Sequence, residues 1–290
     1  MSIDNLILTA DDVDFEKYLE ETEMKQRVIP ANSYADEVVD YFHAPSFNHG
    51  DTLPFPALNE YVRFRPGEVS IWTGYNGHGK SLMLGQVLIG LVHQEKRVCV
   101  ASMEMQPRTT LSRICRQFTG KRVPSRSEIN GFLDTLSSHF YLYDHQGVVQ
   151  WRKLLGVLRY CANEAGIEHF VIDSLLKCGI KEDDYNTQKE FVDHLCTIGR
   201  DTGMHIHLVC HSRKGADETR VPGKMDIRGS ASISDQVDNV FSVWRNKNES
   251  RLPGEDGYLL VDKQRNGEWE GLIVLSYKNE SQSYTHNLHR

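Results

Sequence analysis

No stretch of the chain approaches the roughly 20 consecutive apolar residues that a membrane-spanning helix needs. Nor does a positively charged segment followed by an apolar run open it, since residues 1–23 are acidic. A secretory signal, a transit peptide and a membrane partner are not expected, and the anticipated setting is cytoplasmic. Paired cysteines are missing too. The six cysteines lie 14 or more residues apart without a Cys-x-x-Cys pair, which argues against a structural zinc site. Several, Cys99 among them, sit in apolar runs and read as buried small hydrophobes. An excess of positive charge is missing as well: the net charge is −7, of which −6 falls within residues 1–25. If the chain binds nucleic acid, it does so through a local groove or pore and not through its overall field. Repeats and low-complexity tracts are also absent. What remains is 290 residues of ordinary composition, 39% apolar and 25% charged, enough for one large domain or a domain plus an appendage.

The pattern divides the chain into three parts. Residues 1–25 form an acidic tail. Within it Phe15, Tyr18 and Leu19 mark one face of a helix over 14–24, too short to stand alone and expected to dock on a surface, its own or a neighbour's. Residues 26–60, with Pro30, Pro45, Pro54 and Pro56, read as a connector with a short helix at 35–42. Residues 61–290 alternate strands and helices. Strands are expected at 68–73, 97–101, 140–143, 170–172, 205–210, 240–244, 258–263 and 272–277, and helices at 80–94, 105–119, 150–165 and 188–201. Such alternation predicts an α/β fold, a mostly parallel sheet with helices on both faces. The last two strands are joined through Arg265-Asn266-Gly267-Glu268, and Asn-Gly there predicts an antiparallel hairpin at the end of the sheet.

Gly74-Tyr75-Asn76-Gly77-His78-Gly79-Lys80-Ser81 matches the phosphate-loop pattern, between an expected strand and an expected helix. The glycines let the backbone turn its N–H groups onto phosphates, Lys80 supplies a point charge, the Ser81 hydroxyl ligates magnesium and the helix dipole adds to the attraction. ATP or another NTP or dNTP is the expected substrate, with Mg²⁺ as cofactor. His78, bulky for this loop, reads as a solvent-facing loop residue. About 90 residues later, Phe170-Val171-Ile172-Asp173 is a buried strand ending in a carboxylate, where open α/β sheets bind ligands, and Asp173 is the second magnesium ligand. Glu104, after the strand beside the loop, is the candidate for activating water, the other reading of its position being an acid at a helix N-terminus.

Together these motifs resemble the helicase domain of the DnaB, Twinkle and phage primase-helicase group, a RecA-like family, over about residues 50–280. The segment Ser102-Met103-Glu104-Met105 resembles the one that carries the family's catalytic glutamate. Leu208-Val209-Cys210-His211-Ser212 resembles the strand that ends in a polar phosphate sensor, which implies that role for His211. Met225-Asp226-Ile227-Arg228-Gly229-Ser230 resembles the loop lining a DNA channel, implying DNA contacts at Arg228 and Gly229 and, less securely because glycine is usual there, at Ala231. Arg213 and Lys214 resemble basic DNA-contacting positions at the start of the same long polar loop. In Lys263-Gln264-Arg265-Asn266-Gly267 the resemblance implies a lysine and an arginine that reach a neighbouring subunit's nucleotide, where such an arginine can change turnover by about 10³ or more. Arg245 and Tyr277 resemble a pair flanking the base. The family further implies a homo-oligomeric ring, a hexamer, on single-stranded DNA in a bacterial or phage-infected cell. No primase domain or zinc module precedes the motor, so a separate primase and DNA polymerase are the expected partners. Two other readings stay open: a RecA/RadA-like recombination ATPase, and a DNA-binding or loading accessory that uses nucleotide only as a switch.

Overall fold

The computed structural model describes residues 30–43, 50–213, 218–229 and 232–286, and the backbone of residues 7–9. The helix expected at 14–24 lies outside the described residues. Two elements come first: β1 (Ile7–Thr9), and α1 (Ala35–His43), where a helix was expected. From there the chain alternates as the sequence predicts: β2 (Val69–Thr73), α2 (Lys80–His93), β3 (Val98–Ser102), α3 (Pro107–Thr119), α4 (Arg126–Leu136), β4 (Phe140–Asp144), α5 (Trp151–Asn163), β5 (His169–Asp173), α6 (Tyr185–Thr202) and β6 (His205–Val209). The short helix α7 (Ser232–Gln236) leads into β7 (Asn239–Arg245), β8 (Gly257–Gln264), β9 (Gly271–Lys278) and β10 (Ser283–Thr285).

The sheet has ten strands in the order β1-β4-β3-β5-β6-β2-β7-β8-β9-β10. Pairings are parallel from β1 through β7 and antiparallel from β7 to β10. β2, β3, β5 and β6 are buried along their whole length. Strands with no wet face need helices on both sides. Alternate residues accordingly feed two cores. Val69, Ile71, Cys99, Ala101, Phe170 and Ile172 pack with α5 and α6, whereas Trp72, Val98, Val100, Val171 and Val209 pack with α2, α3 and α4. All six cysteines are free and buried, as their apolar neighbours suggested.

β1 and α7 have no counterpart among the expected elements, and three further features differ from expectation for local reasons. α4 is not among the expected helices, although Ile129, Phe132, Leu133 and Leu136 fall at helical spacing in an otherwise polar stretch. Its start is nevertheless written in Ser125-x-x-Glu128: the Ser125 hydroxyl accepts the Glu128 N–H (3.3 Å) and the Glu128 carboxylate accepts the Ser125 N–H (2.8 Å), a capping box. β10, three residues long, is too short to show periodicity. The hairpin between β8 and β9 exists, but its tip is not a two-residue Asn-Gly turn. Pairing with β9 stops at Val261↔Gly271, while β8 runs on against β7 to Gln264↔Asn239, so residues 265–270 form a wider loop.

The segment from Asp51 to Phe64 folds over the α2–α4 face, tied by a bridge between those two residues and buried through Leu53, Phe55 and Leu58. Beneath it lie three stacked histidines, His169, His205 and His207, each at most 1% exposed. Their partners fix every proton. The Trp72 Nε1–H donates to His207 Nδ1 (3.1 Å), so His207 carries its proton on Nε2 and donates it to His169 Nδ1 (3.2 Å). His169 then donates from Nε2 to the Asp51 carboxylate (2.9 Å). In parallel, His205 Nδ1 donates to the Arg65 carbonyl (2.7 Å) and its Nε2 accepts from the Ser70 hydroxyl (2.8 Å). Each nitrogen has a partner only while the rings are neutral, which keeps this buried polar cluster satisfied.

Candidate functional site

β2 delivers the chain to the C-terminal edge of the sheet, and the phosphate loop turns there into α2. Gly74 has φ +149°, and a Cβ on it would lie 2.3 Å from the Val243 carbonyl oxygen; Gly79 caps α2 with φ +91°. Both positions exclude side chains. No side chain caps α2 and its first turn holds no acid, so its leading N–H groups face outward. The Lys80 ammonium donates to the carbonyls of Gly74 (2.8 Å) and Tyr75 (3.0 Å). Burial pushes its pKa down to about 8, against the pull of Asp173 and Glu104.

Beside the loop opens a cavity of about 460 Å³ lined by Asn76, Gly77, Lys80, Ser81, Glu104 and Asp173, among others. The Ser81 hydroxyl donates to the Asp173 carboxylate at 2.8 Å. Burial raises the Asp173 carboxyl above its ordinary range; the Ser81 bond opposes this and the Glu104 charge adds to it. A hydroxyl and a carboxylate at this spacing make an all-oxygen donor set, which fits Mg²⁺, and a divalent cation would relieve the raised carboxyl. Register explains the convergence, because Ser102 pairs with Asp173 and brings the end of β3, and Glu104 beyond it, alongside the end of β5. Glu104 is exposed to the cavity and accepts from the Ser174 hydroxyl at 3.3 Å.

His211 lines the same cavity. Burial, then the Lys80 charge, lowers its pKa to about 4, so the imidazole is neutral, and its Nδ1 is buried without a hydrogen-bond partner. Its backbone begins the long polar loop. The His211 carbonyl accepts the Arg228 N–H (2.7 Å), Ser212 bridges Ile227, and Arg213 N–H donates to the Asp226 carbonyl (2.8 Å). The two ends of the loop are thus clasped directly beside the cavity. The Arg228 guanidinium pairs with Glu182, and Arg213 Nε donates to the Ile227 carbonyl (3.2 Å). Gly229 has φ +114° and abuts Gln188. Lys214 and Ala231 lie outside the described residues.

His78 is a correction. Its side chain is not solvent-facing but 1% exposed, packed between Tyr75 and Trp244. The ring is absent from the cavity lining and instead accepts the Arg245 backbone N–H on Nδ1 (3.2 Å). An aromatic ring beside an apolar strand end finds more to bury against than the loop pattern suggests. Arg245 lines the cavity with its guanidinium 5.1 Å from the Tyr277 ring centre. Tyr277 does not reach the lining, whereas Tyr284 on β10 does. Sequence reasoning missed Tyr284 together with its strand. It also missed Arg113, which lines the cavity from α3 and helps hold down the Asp173 carboxyl.

Lys263 and Arg265 stand elsewhere. Lys263 pairs with Val240 at the start of β7, and the neighbouring Asn239 pairs with Ser70 in β2. This is the edge of the sheet opposite the phosphate loop. Lys263 Nζ donates to the carbonyls of Ser234, Asp235 and Val237 (2.8–2.9 Å), and Arg265 to those of Asp235 and Gln236 (3.0 and 2.8 Å), where α7 ends. The site of one chain therefore assembles Lys80, Ser81, Glu104, Asp173, His211 and Arg245 without either residue.

A family model described as an AAA domain matches residues 41–217. The Twinkle homolog protein, chloroplastic/mitochondrial, of Arabidopsis thaliana is 24% identical over 258 residues, a match covering 80% of this chain and 36% of that protein. The chain thus spans little more than a third of that relative. Among solved structures, an isolated ATPase domain superposes with a TM-score of 0.76 at 14% identity, covering 90% of this chain and 100% of that one. A DnaB-like replicative helicase, studied with its interactions with primase, gives 0.73 at 14% identity over 89% of this chain and 67% of that one. At such identities the structural likeness speaks for a common RecA-like fold.

Proposed function

Because the chain belongs to the AAA domain family, whose model matches residues 41–217, we propose that it is an NTP-driven replicative DNA helicase, a ring translocating on single-stranded DNA. In each site Lys80 and the loop N–H groups bind the phosphates, and Ser81 and Asp173 would hold Mg²⁺, which supplies charge neutralisation at the phosphates. Glu104 takes the proton of the attacking water, and neutral His211 senses the γ-phosphate. Lys263 and Arg265 of a neighbouring copy complete the charge stabilisation. Backbone phosphates of single-stranded DNA pass the loop that carries Arg213, Lys214, Arg228, Gly229 and Ala231, giving salt-dependent, sequence-indifferent binding. The helicase relatives support this reading, and a primase and a DNA polymerase are the partners it calls for.

The observation that carries it is the clasp between His211 and Arg228, which joins the nucleotide cavity to the polar loop by one backbone hydrogen bond. The test mixes Arg265→Ala with Lys80→Ala. Neither alone should hydrolyse ATP or unwind a forked duplex. Mixed rings contain interfaces with an intact loop facing an intact arginine, so activity should partly return. No recovery, with mixed rings shown to form, refutes the shared site.

A further inference from the structure

The phosphate loop touches the polar loop a second time, away from His211. Because His78 Nδ1 accepts the Arg245 N–H, the neutral ring carries its proton on Nε2. That nitrogen is buried, has no hydrogen-bond partner, and faces the Glu218 carboxylate at 3.6 Å. A buried donor left unpaired is costly, and this gap exceeds a hydrogen bond by less than an ångström. Glu218 belongs to the loop between Ser212 and Arg228. Its backbone is pinned, since its carbonyl accepts the Trp244 Nε1–H at 2.8 Å, while its side chain is 61% exposed. The Lys247 ammonium, 4.0 Å away, competes for the same carboxylate. A pivot of the Glu218 side chain alone is enough to make or leave the bond to His78.

We propose that His78 is a positioning residue that couples the DNA-facing loop to the phosphate loop, the Glu218 carboxylate accepting its Nε2–H when single-stranded DNA engages the Arg220–Arg228 side of the loop. The inference rests on the helicase reading. Making the bond supplies the missing partner of a buried donor and holds the loop backbone, between Tyr75 and Gly79, in the form that cradles phosphate. The contact is specific to an imidazole at this position, because a small residue there reaches neither Arg245 nor Glu218.

The experiment measures ATP hydrolysis by the full chain with Mg²⁺ across a titration of oligothymidylate. Glu218→Ala should keep the DNA-free rate and the oligothymidylate concentration for half-stimulation, but lose about fivefold to tenfold of the stimulation at saturation, the factor expected from one hydrogen bond to a largely exposed carboxylate. Glu218→Gln, whose amide oxygen still accepts, should retain part of it. His78→Asn keeps an acceptor for the Arg245 N–H, while its shorter amide no longer brings a donor to Glu218. Its stimulation ratio should fall as in Glu218→Ala, and the double variant should fall no further. Full stimulation of Glu218→Ala at saturating DNA, a shift only in the concentration required, or additive losses in the double variant each overturn the coupling while leaving the helicase reading intact. A wild-type rate that DNA does not raise overturns both.

Discussion

The stacked histidines under the segment from Asp51 to Phe64 make acid stability a quantitative test of their proton arrangement. Burial, with the neighbouring His169 ring adding to it, lowers the His205 pKa to about 3, and burial with both neighbouring rings lowers that of His207 well below its ordinary value. In the unfolded chain each imidazole takes a proton as the pH falls through about 6.5. Between that value and the folded pKa the unfolded state binds more protons, so stability drops as the pH falls. From pH 7 to pH 5 the loss is about 2 kcal/mol for the His205 ring, from roughly 1.4 kcal/mol per pH unit once the unfolded ring is protonated, and the His207 ring acts in the same direction. Asp51, Asp226 and Asp256, whose pKa values are lowered, lose their contributions only below about pH 4, outside this window. His78 and His211, pushed to about 4, add to the total but remain in any variant of the cluster. The decisive comparison is His205→Asn, whose amide can still donate to the Arg65 carbonyl. Urea unfolding at pH 7 and pH 5 should show the variant losing about 2 kcal/mol less than the parent on acidification, whatever its stability at pH 7. Equal losses would mean that His205 is already charged in the folded protein, and the neutral form traced from its bonds to the Arg65 carbonyl and the Ser70 hydroxyl would be wrong.

Glu104→Gln should cut hydrolysis by about 10²–10⁴ while nucleotide binding, read by a fluorescent analogue, persists, because the carboxylate acts on water and not on the phosphates. Gly74→Ala places a methyl group 2.3 Å from the Val243 carbonyl at φ +149°, so it should cost roughly 1–3 kcal/mol in urea unfolding and abolish binding of the same analogue. Arg228→Ala should weaken single-stranded DNA binding equally for all sequences and lower the slope of log affinity against log salt by about 0.7; an unchanged slope would leave the Glu182 ion pair as the only role of this arginine.

What the sequence made legible follows from locality. The phosphate loop, Asp173 and Glu104 each sit within a few residues of a strand end, and parallel register then aligns those ends without further information, Ser102 beside Asp173 and Trp72 beside Val209. Elements with strong period were readable for the same reason. Residues whose role depends on contacts far along the chain were not. His78 looks like a solvated loop residue until Trp244, more than 160 positions later, is laid against it. Tyr284 reaches the phosphate loop only because β10 pairs with β9 at Tyr284↔Tyr277. The three histidines lie in strands 36 residues apart, and no spacing rule connects them with Asp51. Asn266-Gly267 was misleading in detail, since β8 gains more from continuing its ladder with β7 to Gln264 than from turning early.

The position of Lys263 and Arg265 follows from that continued ladder. An antiparallel strand added to a parallel sheet runs back towards the edge where the parallel strands begin, so the further β8 extends, the farther its end lies from the loop after β2. The three steps of strand from Ser70 to Thr73 already amount to about 10 Å at 3.3 Å per residue. A lysine and an arginine bound to the carbonyls where α7 ends cannot also meet phosphates cradled by Gly74 to Ser81 of the same chain. If they serve hydrolysis, they serve another copy's, and turnover per chain must then rise with protein concentration as copies associate. A rate per chain that stays constant down to concentrations where only monomer sediments would remove them from the reaction.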